Sequence, residues 1–218
     1  MVKDFLISRY RAIKYRTPRA WFLRSILDDQ KAISLMLAGD PVRHGSFLLA
    51  IREIEKRRIE GSFAECGVFA GMTSKFIHSL APDKTYYLFD TFEGFPTTDL
   101  ETAEDKRFQD TSVDTVKRNI GDLQNIVFKK GYFPDTAVGL EEEVFSLVIL
   151  DFDLYKPTLA GLEFFYPRMS PGGYIFVHDY NSPESNFAVS RAVDAFMAGK
   201  PGGASGIPDA YGSVIIRK

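Results

Sequence analysis

Five short apolar runs, each followed by a stretch with helical character, constrain this chain more than any other feature in it. SFAECGV (62–68), TYYLFDT (85–91), NIVFKKG (125–131), SLVILDF (146–152) and GYIFVHD (173–179) are bounded by turn residues and read as strands buried on both faces. Between them, Met72 to Leu80, Val113 to Gly121, Pro157 to Phe165 and Pro183 to Phe196 read as helices. Pro157 and Pro183 suit a first helical turn, Thr111 and Asp114 match a capping box, and Val189, Val193 and Met197 recur along one face. A further helix, Phe47 to Arg58, precedes the first strand, with Leu48, Ile51 and Ile54 at three-residue steps and Gly61 as its stop. Right-handed crossovers lay each helix back on the sheet, so the alternation predicts a doubly wound, mostly parallel α/β fold covered on both faces. Ligands of such sheets gather beyond the carboxyl ends of the strands.

The 218 residues suffice for one such domain, taken here as 59–218, preceded by an N-terminal helical arm or cap over 1–58. A formal net charge of −2 leaves no global basic field, so no nucleic-acid partner is expected and a small molecule is favoured. Cys66 is the only cysteine, which rules out an internal disulfide and a thiolate zinc cluster and reads as a small buried hydrophobe. No apolar stretch of about 18 residues is present and the N-terminus lacks a signal-peptide core, so a cytoplasmic protein without a transmembrane segment is expected. The first 24 residues carry seven Lys or Arg against one Asp, with aromatic residues interleaved. That pattern reads as an arm packed on the body or on a second subunit, and a homo-oligomer is expected; a membrane surface or acidic partner is the other reading.

The strand ends hold the chemistry. The first runs into ECGVFAG, Glu65 to Gly71, where two glycines four apart permit a tight turn and helix-start amides favour an anion. The spacing differs from the dinucleotide and phosphate-loop patterns, so pyrophosphate is not favoured. Asp90 closes the second strand 19 residues after Gly71, where an acid can accept hydrogen bonds from a ribose diol. The fourth and fifth strands deliver Asp151, Asp153, His178 and Asp179. Buried carboxylates need an opposite charge, and Asp151, His178 and Asp179 make a three-ligand divalent-cation site. Carboxylates suit Mg²⁺ or Mn²⁺, while the imidazole tilts the choice toward Mn²⁺, Fe²⁺ or another transition metal. Asp153 also fits a cap for the next helix, His178 a core histidine or a metal-free base, and His44 and His78 plain packing.

Taken in order, AECGVFAGMTSKFI, FDTFEGFP, GYFPDT, LDFDLYKPT and YPRMSPGGYIFVHDYN resemble the S-adenosylmethionine-dependent O-methyltransferases related to the macrocin, mycinamicin and novobiocin sugar methyltransferases, over roughly residues 60 to 197. The resemblance implies a Rossmann-like class I methyltransferase fold of seven strands with the last antiparallel, which assigns the sixth near Ile207 and the seventh to SVIIRK, Ser213 to Lys218. It implies that Glu65, Gly67, Gly71, Thr73 and Asp90 hold the donor and that Ser112 touches its adenosine. It implies Mg²⁺ on Asp151, which is also considered as the base, and on two successive acids that match His178 and Asp179. An acid stands in the family where this chain has His178, so either Asp151 or His178 serves as base and the metal is Mg²⁺ or Mn²⁺.

The activity so implied is methylation of a hydroxyl on a sugar or glycosylated natural product. Its competitors are a metal-dependent D-x-D glycosyltransferase and a non-catalytic scaffold that keeps the donor pocket. TTDLETAEDKRFQD (97–110) reads as a lid or a solvated loop, and Tyr132, Phe133 and Tyr155 as an apolar wall for the acceptor or as core.

Overall fold

A computed structural model describes residues 30–100 and 105–218; the basic arm over the first 24 residues lies outside the described residues. The elements are α1 (Gln30–Ala38), α2 (Pro41–Arg57), β1 (Ser62–Cys66), α3 (Met72–Leu80), β2 (Tyr86–Asp90), α4 (Val113–Ile120), β3 (Ile126–Lys130), β4 (Phe145–Leu150), α5 (Tyr155–Arg168), β5 (Met169–Val177), α6 (Ala188–Met197), β6 (Ala204–Ile207) and β7 (Ser213–Arg217). They form one seven-stranded sheet in the order β3-β2-β1-β4-β5-β7-β6. The first five strands run parallel, while β7 inserts antiparallel between β5 and β6. Strand order reverses between β1 and β4, which opens a crevice at their carboxyl ends.

Alternate residues of the central strands feed two cores. Phe63, Leu147 and Ile149 face α1 to α4, meeting Met36, Phe47, Ile51, Phe76, Ile77 and Val116. Ala64, Cys66, Val148 and Leu150 face α5 and α6, meeting Leu162, Phe165, Val189 and Val193. Cys66 is fully buried, as expected of a small hydrophobe, and burial pushes its thiol pKa well up. Residues 30–57, counted with the arm in the sequence, supply part of the first core.

Four local expectations are corrected. Helix α2 starts six residues earlier than Phe47, because Asp40 caps it by accepting from Val42 N (2.8 Å) and Arg43 N (3.2 Å) and Pro41 fills the first position. Helix α6 starts at Ala188 rather than Pro183, since Asn186 and Phe187 sit in left-handed backbone at φ 52° and 54° and break any earlier helix. The cap of α4 is Ser112, which accepts from Thr115 N at 3.1 Å, while the Thr111 hydroxyl donates to the Phe69 carbonyl. Asp153 caps nothing: α5 begins after Leu154 with no side-chain cap.

Candidate active site

The crevice deepens into a cavity of about 330 Å³ lined by residues from the ends of all five parallel strands. Its floor begins at the glycine turn. Gly67 has φ 84°, and a Cβ there would stand 1.9 Å from the Asp151 carbonyl oxygen, so only glycine lets β1 and β4 approach this closely. Gly71, at φ 75°, caps α3, and a Cβ would meet Val116 Cγ1 at 2.7 Å. Asp90 binds the turn between them: Oδ2 accepts from Val68 N (2.7 Å) and Phe69 N (2.9 Å), and Oδ1 from Phe92 N (2.7 Å). A carboxylate has about four lone-pair sites, so three amides leave one for a ligand hydroxyl.

Glu65 lies below the turn rather than on the cavity wall. It is buried in β1, where Oε2 accepts from Ser74 Oγ on α3 (2.7 Å) and from the Tyr86 hydroxyl on β2 (2.5 Å). Burial pushes its pKa to about 8; the two hydroxyls oppose the shift, and the charges of Asp151 and Asp90 add to it. Of the donor-binding residues expected from the sequence, Gly67 and Asp90 line the cavity. Glu65, Gly71, Thr73 and Ser112 stand around it: Gly71 is buried, Thr73 is half-buried at the start of α3, and Ser112 is exposed at the cap of α4.

Beyond β4 and β5 the expected acids converge. Asp151, His178 and Asp179 each offer one ligand atom, all within 4.8 Å of one another. His178 Nδ1 stands 2.9 Å from Asp151 Oδ1 and 3.1 Å from Asp179 Oδ2. Its Nε2 stands 3.1 Å from the Ala210 carbonyl oxygen, which can only accept, so that geometry assigns the ring proton to Nε2. Nδ1 then points a lone pair at two carboxylates, an arrangement that is repulsive unless a cation intervenes. A second ring proton is one such cation: burial pulls the His178 pKa down, but the charges of Asp151 and Asp179 and their hydrogen bonds override it and push it to about 10. A metal ion is the other, and the donor set fits one. Cis ligands about 2.1 Å from an octahedral ion lie about 3 Å apart, and a metal-binding histidine characteristically donates its other N–H to a carbonyl.

Asp153 and Asp179 both occupy left-handed backbone, φ 61° and 60°, which aspartate adopts more readily than most residues. Asp153 is buried beside the cluster and lines the same cavity. Burial first, then the charges of Asp151 and Asp179, push its pKa to about 8, with Arg107 opposing. For Asp151, burial works upward, but the charge and hydrogen bond of His178 and the charge of Arg43 prevail and hold its pKa below the ordinary value.

Several cavity residues were missed in the sequence. Arg43, one turn into α2, lies 3.5 Å from both Asp151 and Asp209. Arg107, from the stretch after β2, is gripped by Asp105 (2.7 Å) and reaches across to Glu184 (3.1 Å) and Asp153 (3.8 Å), with Phe95 and Phe108 beneath its guanidinium. The described part of 97–110 is therefore joined across the cavity mouth to the segment between β5 and α6. Asp99 and Tyr211 also line the cavity. The one signal available for Arg43 was the Asp40-Pro41 cap, which predicts a helix start beside it; the others sit in loops with no period to read. Tyr132 and Phe133 do line the cavity, whereas Tyr155 stacks with Arg191 at 5.6 Å. His44 stacks on Phe76 at 4.6 Å and His78 is buried in α3, both as packing residues.

Among the described residues no helix is long and apolar enough to cross a membrane. The fold is shared with solved methyltransferases. The O-methyltransferase NovP superposes with a TM-score of 0.68 at 23% identity, covering 81% of this chain and 79% of that one. CalS11, a calicheamicin methyltransferase, gives 0.65 at 19% identity over 89% and 96%. In sequence, the chain is 32% identical to the mycinamicin III 3''-O-methyltransferase of Micromonospora griseorubida over 156 residues, 62% of this chain and 61% of that protein. It is 26% identical to the demethyldecarbamoylnovobiocin O-methyltransferase of Streptomyces niveus over 148 residues, 60% and 56% respectively. The aligned stretches thus span less than two thirds of these relatives. The model of the macrocin-O-methyltransferase family (TylF) matches residues 23–200, the greater part of the chain and every cavity residue up to Glu184. With seven strands, the last antiparallel as expected, and the glycine turn facing the acids of β4 and β5, the chain belongs to that macrocin-type O-methyltransferase family.

Proposed function

We propose that this protein transfers the methyl group of S-adenosylmethionine to a hydroxyl of a sugar or glycosylated natural product, with a divalent cation held by Asp151, His178 and Asp179. The observation that carries the reading is the presence of a donor turn and a three-ligand cluster in one cavity, with Gly67 packed against Asp151. The names of the relatives, O-methyltransferases of mycinamicin III and of demethyldecarbamoylnovobiocin, support the acceptor class. Membership of a methyltransferase family weighs against the glycosyltransferase alternative.

In this reading the glycine turn carries the methionine part of the donor, and Asp90 uses its remaining lone pair on the ribose. Holding the donor there would fix one side of the in-line arrangement of acceptor oxygen, methyl carbon and sulfur that the transfer requires, a proximity effect. A bound dication would supply Lewis-acid polarisation of the acceptor hydroxyl, an effect that takes metal-bound water from a pKa of 15.7 to about 7. The new O–C bond forms as the C–S bond breaks, and its electron pair stays on sulfur, leaving a neutral thioether. The hydroxyl proton needs an acceptor. Asp151 and His178 would both be held as ligands of the cation, and His178 Nε2 already donates to the Ala210 carbonyl. We therefore assign the proton to Asp153, a buried carboxylate that lines the same cavity beside the cluster and is not one of its three ligands. Arg107 and the segment it ties down exclude water from the mouth.

The test is calorimetric titration with S-adenosylhomocysteine, followed by turnover of labelled donor on a panel of sugars, glycosides and phenols, with and without EDTA. Donor binding with cation-dependent transfer to a glycoside is expected. Asp151→Ala should keep donor binding and lose transfer. Stabilisation only by a nucleotide sugar with Mn²⁺ would restore the glycosyltransferase reading, and donor binding with no turnover on any acceptor would leave a scaffold.

A further inference from the structure

Arg43 is held between two carboxylates and hydrogen-bonded to neither. Its Nη1 is 3.5 Å from Asp151 Oδ2 and its Nε is 3.5 Å from Asp209 Oδ2, against about 2.8 Å for a charge-assisted hydrogen bond. Nε is buried without a hydrogen-bond partner, and so is Oδ1 of Asp209, whose side chain is fully buried and whose other oxygen accepts from Ser213 Oγ at 2.6 Å. A buried donor without a partner thus stands 3.5 Å from a buried carboxylate of opposite charge that still has one oxygen, Oδ1, unpartnered, and a small shift of the guanidinium away from Asp151 would make the bond.

The helix that carries Arg43 is pinned at the same place. Asp40, its cap, accepts from Ala210 N at 2.8 Å, and the Ala210 carbonyl takes the Nε2 proton of His178. The start of α2 therefore meets the cluster twice, through the Ala210 backbone on the His178 side and through the Arg43 guanidinium on the Asp151 side. Asp151 Oδ1 faces His178 while Oδ2 faces Arg43, so a dication in the cluster and the guanidinium draw on the same carboxylate.

We propose that Arg43 is a tethered counter-ion that competes with the divalent cation for Asp151 and withdraws onto Asp209 when the cation enters. The inference rests on the metal reading above and adds to it a gate supplied from outside the strand-end motifs. Without a dication, Arg43 neutralises Asp151; with one, the Arg43–Asp209 pair closes. The gate lowers the cluster's affinity for ions, and Asp209 sets by how much.

The measurement is Mn²⁺ affinity of the full chain by electron paramagnetic resonance, with the ion alone as probe. R43Q removes a positive charge beside a doubly charged ion and is expected to bind Mn²⁺ about tenfold more tightly or better. R43K keeps the charge and should stay within about threefold of wild type, while D209N removes the charge of the second seat and should weaken binding by about threefold or more. A thermal melt of each variant checks the fold, and R43K and D209N retain the test should R43Q fail to fold. If wild type binds Mn²⁺ and R43Q binds it equally or less well, or D209N binds it as wild type does, the gate is refuted while the metal site stands. If neither wild type nor R43Q binds Mn²⁺, the metal reading falls and the gate with it.

Discussion

Replacing Glu65 with glutamine tests a buried charge that the fold holds in an unusual state. The carboxyl is 2% exposed and its Oε2 accepts from two hydroxyls, Ser74 and Tyr86, both of which a glutamine carbonyl can retain. Its folded pKa of about 8 lies above the ordinary glutamate value of 4.5 expected of the unfolded chain. The native state therefore holds a proton that the unfolded chain has released. The stability this contributes is fully present below about pH 4.5 and is lost as pH rises through about 8. Each pH unit in that window is worth up to about 1.4 kcal/mol, so wild type should lose about 3 kcal/mol between pH 6 and pH 9 from this residue alone. Glu65→Gln has no proton to lose. Urea unfolding of both proteins at several pH values isolates the effect as a difference, since every other titrating group is common to the pair. The difference should grow with pH in favour of the variant. Parallel stability profiles would refute the reasoning and mean that Glu65 ionises in the fold much as it does in water.

Three further outcomes follow from the same geometry. Asp153→Asn should lower kcat by about 100-fold or more while leaving S-adenosylhomocysteine affinity unchanged by calorimetry, because the residue is assigned to the proton and not to the donor; an equal loss of donor affinity would argue for a binding role. Gly67→Ala places a Cβ 1.9 Å from the Asp151 carbonyl at φ 84°, and should cost about 3 kcal/mol or more in a denaturation midpoint and abolish donor binding. His178→Asp sets a third carboxylate against Asp151 and Asp179, so its melting temperature should fall in EDTA and recover with Mg²⁺, whereas wild type should favour Mn²⁺ over Mg²⁺.

What could be read in the sequence was whatever is periodic or local. Four of the parallel strands show because burial makes them nearly continuous apolar runs; β3 was expected to be buried on both faces too, but it is the edge strand and none of its residues is buried, and only the run Ile126 to Phe128 between turn residues marks it. Asp90, Asp151, His178 and Asp179 show because each directly ends or follows a strand. Helix α3, with Gly71 before it, was placed to the residue. The start of α6 was misplaced because Pro183 is a strong local signal, while the left-handed pair Asn186 and Phe187 that overrides it carries none. The resemblance placed Glu65 among the donor ligands; in the structure its carboxyl accepts from the hydroxyls of Ser74 and Tyr86, partners that no local pattern in the sequence shows. Arg43 and Arg107 approach the acids from segments more than 40 residues away in sequence, and only closure of the fold brings them there.

The placement of β7 between β5 and β6 also governs when the protein can first act. The carbonyl that orients His178 belongs to Ala210, in the connection into β7, and its neighbour Asp209 is the second seat of Arg43. Translation delivers the chain from its amino end, so the turn, the acids and the arginines all leave the ribosome before the hairpin that aligns them. On the proposed reading, the cluster lacks its orienting carbonyl and Arg43 its second seat until β7 pairs between β5 and β6.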